Sequence, residues 1–313
     1  MKHFFAVLSI SFLFFQCSIS KTPSPREIAK LQSVNETHDI LFSLASDDML
    51  GRDMESGGFP LAANYVKEFF KSNGIEPFYQ SGFDDNFTLN DVSSNNIVAR
   101  LGEYLPNRPT VLIGAHLDHI GISTKTTDAI YNGANDNASG STAVLQIAKV
   151  LSKYQWDQNI VVALFAAEER GLLGAKHLAD RFKQEQVNLQ LMFNFEMIGK
   201  TLTTGANQVY MTGFKLSNLP ALMNQHTPNF VTFLPEAEGY NLFKRSDNYA
   251  FYNAFGVPCH TLSSLDFKNY DYYHKAEDEA GIMDVNNMNQ IIRTATYSIG
   301  QVLRTKANVV MTD

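Results

Sequence analysis

The chain has little cysteine: two residues in 313, Cys17 and Cys259. If Cys17 is acylated or lost with the N-terminal segment, Cys259 stands alone and no intrachain disulfide can form. In its apolar setting, Val257-Pro258-Cys259, it reads as a small buried hydrophobe without chemistry. Positive charge is also in deficit. Lysine and arginine together number 25 against 32 acids, for a net charge of -7, which argues against nucleic acid or an anionic membrane as a partner. There is no internal repeat and no low-complexity tract. Two hydrolase signatures are missing as well, the Gly-x-Ser-x-Gly elbow and the His-Glu-x-x-His helix, which disfavours a serine hydrolase and a helix-borne metalloprotease site. What is present, 44% hydrophobic and 18% charged residues, can bury a substantial core as one large α/β domain or two small ones.

The longest apolar run stands at the start. Lys2 and His3 precede Phe4 to Phe15, too short for the roughly 20 residues of a spanning helix but suited to a signal-peptide core. Export is therefore expected, with residues 1–17 as the signal segment. Phe15-Gln16-Cys17-Ser18 resembles a bacterial lipoprotein box, so membrane attachment through a lipidated Cys17 and ordinary cleavage nearby are both open. Residues 18–25 read as a tether and residues 26–313 as the folded domain. Apolar positions at helical spacing predict helices over 26–45, 61–73, 142–154, 172–182 and 285–303, with a further one opening near Ser246. The polar link Ser46 to Arg52 reads as a solvated helix cap.

Between the helices lie short runs of buried-strand type. Val111 to Ala115, Ile160 to Phe165 and Leu189 to Phe195 alternate with helices, the pattern of a largely parallel sheet covered on both faces; residues 95–101 add another strand. In such sheets functional groups gather beyond the carboxyl ends of the strands. Each of the three runs ends in metal-ligating types: His116 and Asp118 after the first, Glu168 and Glu169 after the second, Glu196 after the third. Asp136, at the start of the helix after the first strand, reaches the same edge. So many acids on one edge repel unless a cation sits among them. Oxygen-rich ligands with imidazole suit zinc or a similar divalent ion, and an acid left beside the metal is what hydrolysis needs.

The segments Gly114-Ala115-His116-Leu117-Asp118-His119, Asn132 to Gly140, Ala167-Glu168-Glu169-Arg170-Gly171-Leu172, Asn194-Phe195-Glu196-Met197-Ile198-Gly199 and Tyr272-Tyr273-His274 with Asp278 after it resemble the zinc-dependent exopeptidases of the M28 family. The similarity runs from about residue 44 to 303. It implies a single α/β domain with a central, mostly parallel mixed sheet flanked by helices. It also implies two zinc ions: His116 and Glu196 on one, Glu169 and His274 on the other, and Asp136 bridging them. Glu168 would be the general base and acid, and Asp118 the partner that sets the tautomer of His116. Two positions depart from the family pattern: Asn135 stands where Asp is usual, and Glu196 where Asp is frequent. The implied activity is removal of residues from peptides with a free N-terminus. A glutaminyl cyclase of the same fold family, using one zinc, is the alternative; a non-catalytic relative is disfavoured because every ligand position is filled. His119 reads as a loop contact, and His38, His177, His226 and His260 as surface or packed residues. Arg245 to Asn248 either lines the substrate cleft or provides a helix cap at Ser246, and residues 266–273 shape the pocket mouth.

Overall fold

Alternating apolar strands and amphipathic helices resolve into one mixed sheet with helices on both faces. The computed structural model describes residues 22–89, 91–123, 128–305 and 308–312; the expected signal segment, residues 1–17, and residues 18–21 of the expected tether lie outside them. The strands are β1 (Glu76–Pro77), β2 (Asp84–Leu89), β3 (Val92–Leu101), β4 (Thr110–His116), β5 (Asn159–Phe165), β6 (Leu189–Phe195), β7 (Val209–Met211), β8 (Val231–Thr232) and β9 (Cys259–Ser263). Their order is β1-β3-β5-β4-β6-β9-β7-β8, with β2 also paired to β3. The centre, β5-β4-β6-β9, is parallel, while β3 and β7 join it antiparallel. This is the expected single α/β architecture.

Strand side chains alternate between two cores. Ile113, Val162, Leu164, Phe193 and Phe195 face the larger one, against α2 (Val34–Leu44), α3 (Gly58–Ser72), α4 (Gly140–Leu151) and α9 (Val285–Arg304). Leu112, Val161, Phe165 and Met192 face the smaller one, against α5 (Leu173–Gln184) and α8 (Asn248–Phe255). Both faces of the central strands are thus dry, which is why they read as continuous apolar runs rather than alternating ones. Cys259 lies in the smaller core as a free, buried residue. Among the described residues no helix is long and apolar enough to cross a membrane.

Three details depart from the sequence expectations. The predicted helix over 26–45 is two helices, α1 (Pro25–Leu31) and α2. Gln32 between them is buried, with its amide donating to Gln146 O and Thr296 Oγ1, and Ser33 caps α2 by accepting from Glu36 N. The last residues of the expected tether are packed: Pro23 is buried beside Gly300 and Ser24 forms a capping box with Glu27. The segment read as a solvated cap at Ser46 to Arg52 is a 3-10 turn, Asp47–Arg52, whose Arg52 is fully buried. Its role belongs to the site.

Candidate metal centre

The carboxyl ends of β4, β5 and β6 deliver side chains to one crevice. His116 is the last residue of β4, and Asp118 and His119 follow. Ala167, at φ 57, turns the chain out of β5 ahead of Glu168 and Glu169, and Met197, at φ 50, does the same after Glu196. Such left-handed non-glycine residues collect at functional sites. Asp136 sits in the irregular turn before α4, and His274 enters from the loop after β9. Two further helices, α6 (Leu219–His226) and α7 (Pro235–Gly239), lie between β7 and α8 in the chain.

The distances sort these residues into two groups that share Asp136. Its Oδ1 is 3.3 Å from His116 Nε2. Its Oδ2 is 3.1 Å from His274 Nε2, which is also 3.1 Å from Glu169 Oε2. Ligand atoms around a tetrahedral zinc with bonds of about 2.0–2.1 Å stand about 3.3 Å apart; the Asp136–His274–Glu169 contacts have that spacing, as does the His116–Asp136 pair. His116 Nε2, His274 Nε2 and Glu196 Oε2 are buried without any hydrogen-bond partner. Buried polar atoms are ordinarily satisfied, and cations between them and Asp136 would satisfy all three. The donor set fits the expected metals.

Electrostatics point the same way. Burial works against ionisation of Asp136, yet the imidazoles of His116 and His274 hold its carboxyl well below the usual range. Burial also opposes charge on His274, but Asp136 and Glu169 push it up to about 10. Glu168 is raised well above the usual range by burial, against the pull of His116 and with the help of Glu196 and Asp247. Burial, opposed by His116 and aided by Asp136, takes Glu196 to about 7. Without added cations, protons therefore supply the missing positive charge.

Asp118 acts through two routes. His116 Nδ1 is 3.1 Å from the Asp118 carbonyl oxygen and 3.8 Å from its carboxylate. The carboxylate itself accepts from the backbone N–H groups of Glu168 and Glu169, at 3.1 and 3.3 Å. It ties the two strand ends together as well as facing the histidine.

Several residues of the site were not picked out as such in the sequence. The Arg52 guanidinium donates to the carbonyls of Leu117, Leu44 and Gly133, each at 2.8 Å, to that of Asn132, and at 3.4 Å to that of Asp136. It pins the segments carrying Asp118 and Asp136 to each other. The Asx-rich loop performs a similar task for β6: Asn135 Oδ1 accepts from Gly199 N, Asn137 Oδ1 from Met197 N, and Ser139 Oγ from Ile198 N. Asn135 thus works through an amide oxygen that an Asp would replace with a carboxylate oxygen. Asp278 accepts from the backbone N–H groups of Asn135 and Asp136 and from the Tyr270 hydroxyl. His119, read as a loop contact, is buried in the site, with Nδ1 2.9 Å from Glu169 Oε1. Gly133, at φ 56, is required where it stands, because a Cβ there would lie 2.2 Å from Asp136 O and 2.5 Å from the His119 ring. The local signals were Gly133, the density of Asn and Ser around Asp136, and the place of Asp278 in a segment that resembles the family; Arg52 had none.

Beside Glu196 opens a cavity of ≈ 380 Å³ lined by Met197, Leu242, Leu265, Phe267, Tyr270 and Tyr273, with Arg245 and Ser246 also on its wall. The segment opening at Arg245 therefore lines a cleft, and Ser246 does not cap the helix, which starts at Asn248 after an N-cap Asp247 that makes no side-chain cap bond. Asp247 is itself fully buried, with neither carboxylate oxygen hydrogen-bonded; burial raises it well above the usual range, with His116 opposing and Glu196 adding to the rise. The other histidines lie away from the metal groups: His260 is packed against Ser217 and Thr212 O, and His177 stands 3.3 Å from Asp85.

Residues 96–299 match the sequence pattern of peptidase family M28. Aminopeptidase YwaD of Bacillus subtilis is 32% identical over 123 residues, 39% of this chain and 25% of that protein; the chain spans about a quarter of the length of the curated relatives it matches. Among solved structures, the LapA aminopeptidase of Legionella pneumophila superposes with a TM-score of 0.70 at 18% identity, covering 94% of this chain and 79% of that one. The glutaminyl cyclase of Porphyromonas gingivalis gives 0.67 at 16%, covering 86% and 98%. At these identities the two structures establish the fold.

Proposed function

Because the chain belongs to peptidase family M28, whose pattern covers the strands and loops that carry the centre, we propose that it is a zinc-dependent aminopeptidase with two metal positions. What supports this reading is the set of carboxylates and imidazoles gathered around Asp136. Asp136 gives one oxygen to each histidine, and His116 Nε2 and Glu196 Oε2 are buried and unpartnered. Glutaminyl cyclisation with one zinc is the second reading, since a glutaminyl cyclase shares the fold.

His116, Asp136 and Glu196 would hold one ion, and Asp136, Glu169 and His274 the other. When bound, the ions supply Lewis-acid polarisation of the scissile carbonyl and a positive charge that acidifies water. Glu168, partly buried near His116 and Glu196, takes a proton from the attacking water and passes it to the leaving amine. Asp118 fixes the backbone of Glu168 and Glu169 by accepting both N–H groups. The acids around the metals accept a free α-ammonium group, and the cavity beside Glu196, with Leu242, Leu265, Phe267 and tyrosines among polar residues on its wall, receives the side chain of the first residue. The N-terminal segment and Cys17 add export, with lipid attachment as the finer proposal.

The test combines metal content with substrate choice. The purified mature protein should hold two zinc ions and cleave aminoacyl substrates with a free amine. Equal cleavage of N-acetylated substrates would overturn an aminopeptidase. One zinc per chain with release of ammonia from an N-terminal Gln peptide would establish the cyclase instead.

A further inference from the structure

The two oxygens of Glu169 are treated differently. Oε2 stands 3.1 Å from His274 Nε2, on the side where a metal shared with Asp136 fits. Oε1 stands 2.9 Å from His119 Nδ1. The same His119 nitrogen is 3.8 Å from Asp136 Oδ2, beyond hydrogen-bond reach. The ring is held there. Its side chain has no exposure, the Gly133 backbone is against its face with no room for a Cβ, and the His274 ring meets it edge-on at 5.7 Å. Atoms of His119, Asp136 and Glu169 lie within 4.8 Å of one another, and His119 Nε2 is buried with no partner among the described residues; read as a hydrogen bond, the 2.9 Å contact has Nδ1 donating to a carboxylate that can only accept.

We propose that His119 is a positioning residue that holds Glu169 to one-oxygen coordination at the Asp136–Glu169–His274 metal position. The proposal rests on reading those three residues as metal ligands. A carboxylate with both oxygens free can chelate a divalent ion through both and fill two coordination positions. With Oε1 committed to the His119 N–H, only Oε2 is offered, and one position stays open for water or the substrate carbonyl. Open positions distinguish catalytic from structural zinc sites, and partners of this kind around a ligand commonly change metal affinity by about 10- to 100-fold. His119 is thereby an orienting donor, not a fourth ligand.

The test uses the full mature protein loaded with cobalt(II), whose visible absorption weakens as coordination number rises. His119→Phe keeps a ring and removes the donor. Its metal at this position should dissociate about 10- to 100-fold more readily in chelator competition, and the cobalt band should weaken as Glu169 turns both oxygens to the ion. His119→Asn, whose amide nitrogen falls near the place of Nδ1, should restore both readouts, whereas His119→Gln, which reaches the place of Nε2, should not. If the Phe variant does not fold, the Asn and Gln pair decides. Wild-type affinity and cobalt spectrum in the Phe variant, or in the Gln variant, would overturn the proposal. Metal loss as complete as in Glu169→Gln would also overturn it, since that is how a ligand behaves. Glu169→Gln serves as the control for the underlying reading: if it keeps its full metal content, the ligand assignment fails first, independently of His119.

Discussion

Replacing Arg52 with Met removes the one side chain that joins the turn at residues 47–52 to both metal-bearing loops. Four of its carbonyl contacts are 2.8 Å or shorter. At ~1.5 kcal/mol for a hydrogen bond from a charged donor they contribute about 6 kcal/mol. Burial opposes this: it pushes the guanidinium down from 12.5 to about 10 even with Asp278, Asp136 and Asp118 drawing it back up. That shift corresponds to about 3 kcal/mol against the charged form. The difference, about 3 kcal/mol, is the expected loss of stability, and thermal unfolding should move down by roughly 5–10 °C. The loop from Asn132 to Asp136 loses one of its anchors at the same time, the others being Asp278, Asp47 and Glu279, so zinc affinity in chelator competition should fall by about 10-fold. Arg52→Lys keeps the charge but cannot fork toward several carbonyls at once, and it should recover less than half of the loss. Melting within 1–2 °C of wild type for Arg52→Met, with unchanged zinc affinity, would refute the view that Arg52 organises the centre.

Other expectations concern chemistry, specificity, pH and location. Glu168→Gln should keep its zinc yet lose on the order of 10²- to 10⁴-fold in kcat with KM nearly unchanged, whereas Glu169→Gln should lose zinc and melt earlier; the opposite pattern would exchange the two roles. The cavity walled by Leu265, Phe267 and Tyr270 should favour a first residue such as Leu or Phe over Ala by about 10- to 100-fold in kcat/KM, from ~1.5–3 kcal/mol of side-chain burial, and a panel in which Asp is cleaved as fast as Phe would contradict it. Burial lowers His260 to about 4, with its hydrogen bond to Thr212 O partly opposing. Because the folded value lies below the unfolded one, its contribution is present above pH 6.5 and is lost as pH falls toward 4. The stability gap between wild type and His260→Gln should therefore narrow by about 3 kcal/mol across that window; a constant gap in denaturant melts would show that His260 is not held neutral by the fold. Feeding labelled fatty acid should mark the wild-type protein and not Cys17→Ala, and absence of label on both would remove the lipid anchor.

Much of this protein was legible in its sequence because its key signals are local. The central strands β4, β5 and β6 are buried on both faces, so β4 and β5 are short, nearly continuous apolar runs and β6 is apolar apart from Gln190 and Asn194. Their ends carry His116, Glu168, Glu169 and Glu196 without any tertiary information. Helix α9 was equally plain from its periodicity. What tertiary structure decided depends on groups that meet from far apart in the chain. Nothing local shows that Arg52 is buried, because its partners are backbone carbonyls of Leu117, Asn132 and Gly133, and every residue has a carbonyl. The β2 strand escaped notice because its Asp84 to Asn86 start is polar; Asp85 is buried where Arg181 and His177 from α5 and Asn96 from β3 reach it. His119 looked like any histidine in a loop, and its setting comes from Glu169 in the turn after β5 and from a glycine at position 133 that leaves space for its ring. Residue types at strand ends determined which chemistry was available; the packing of distant loops decided which oxygen, nitrogen and carbonyl face one another.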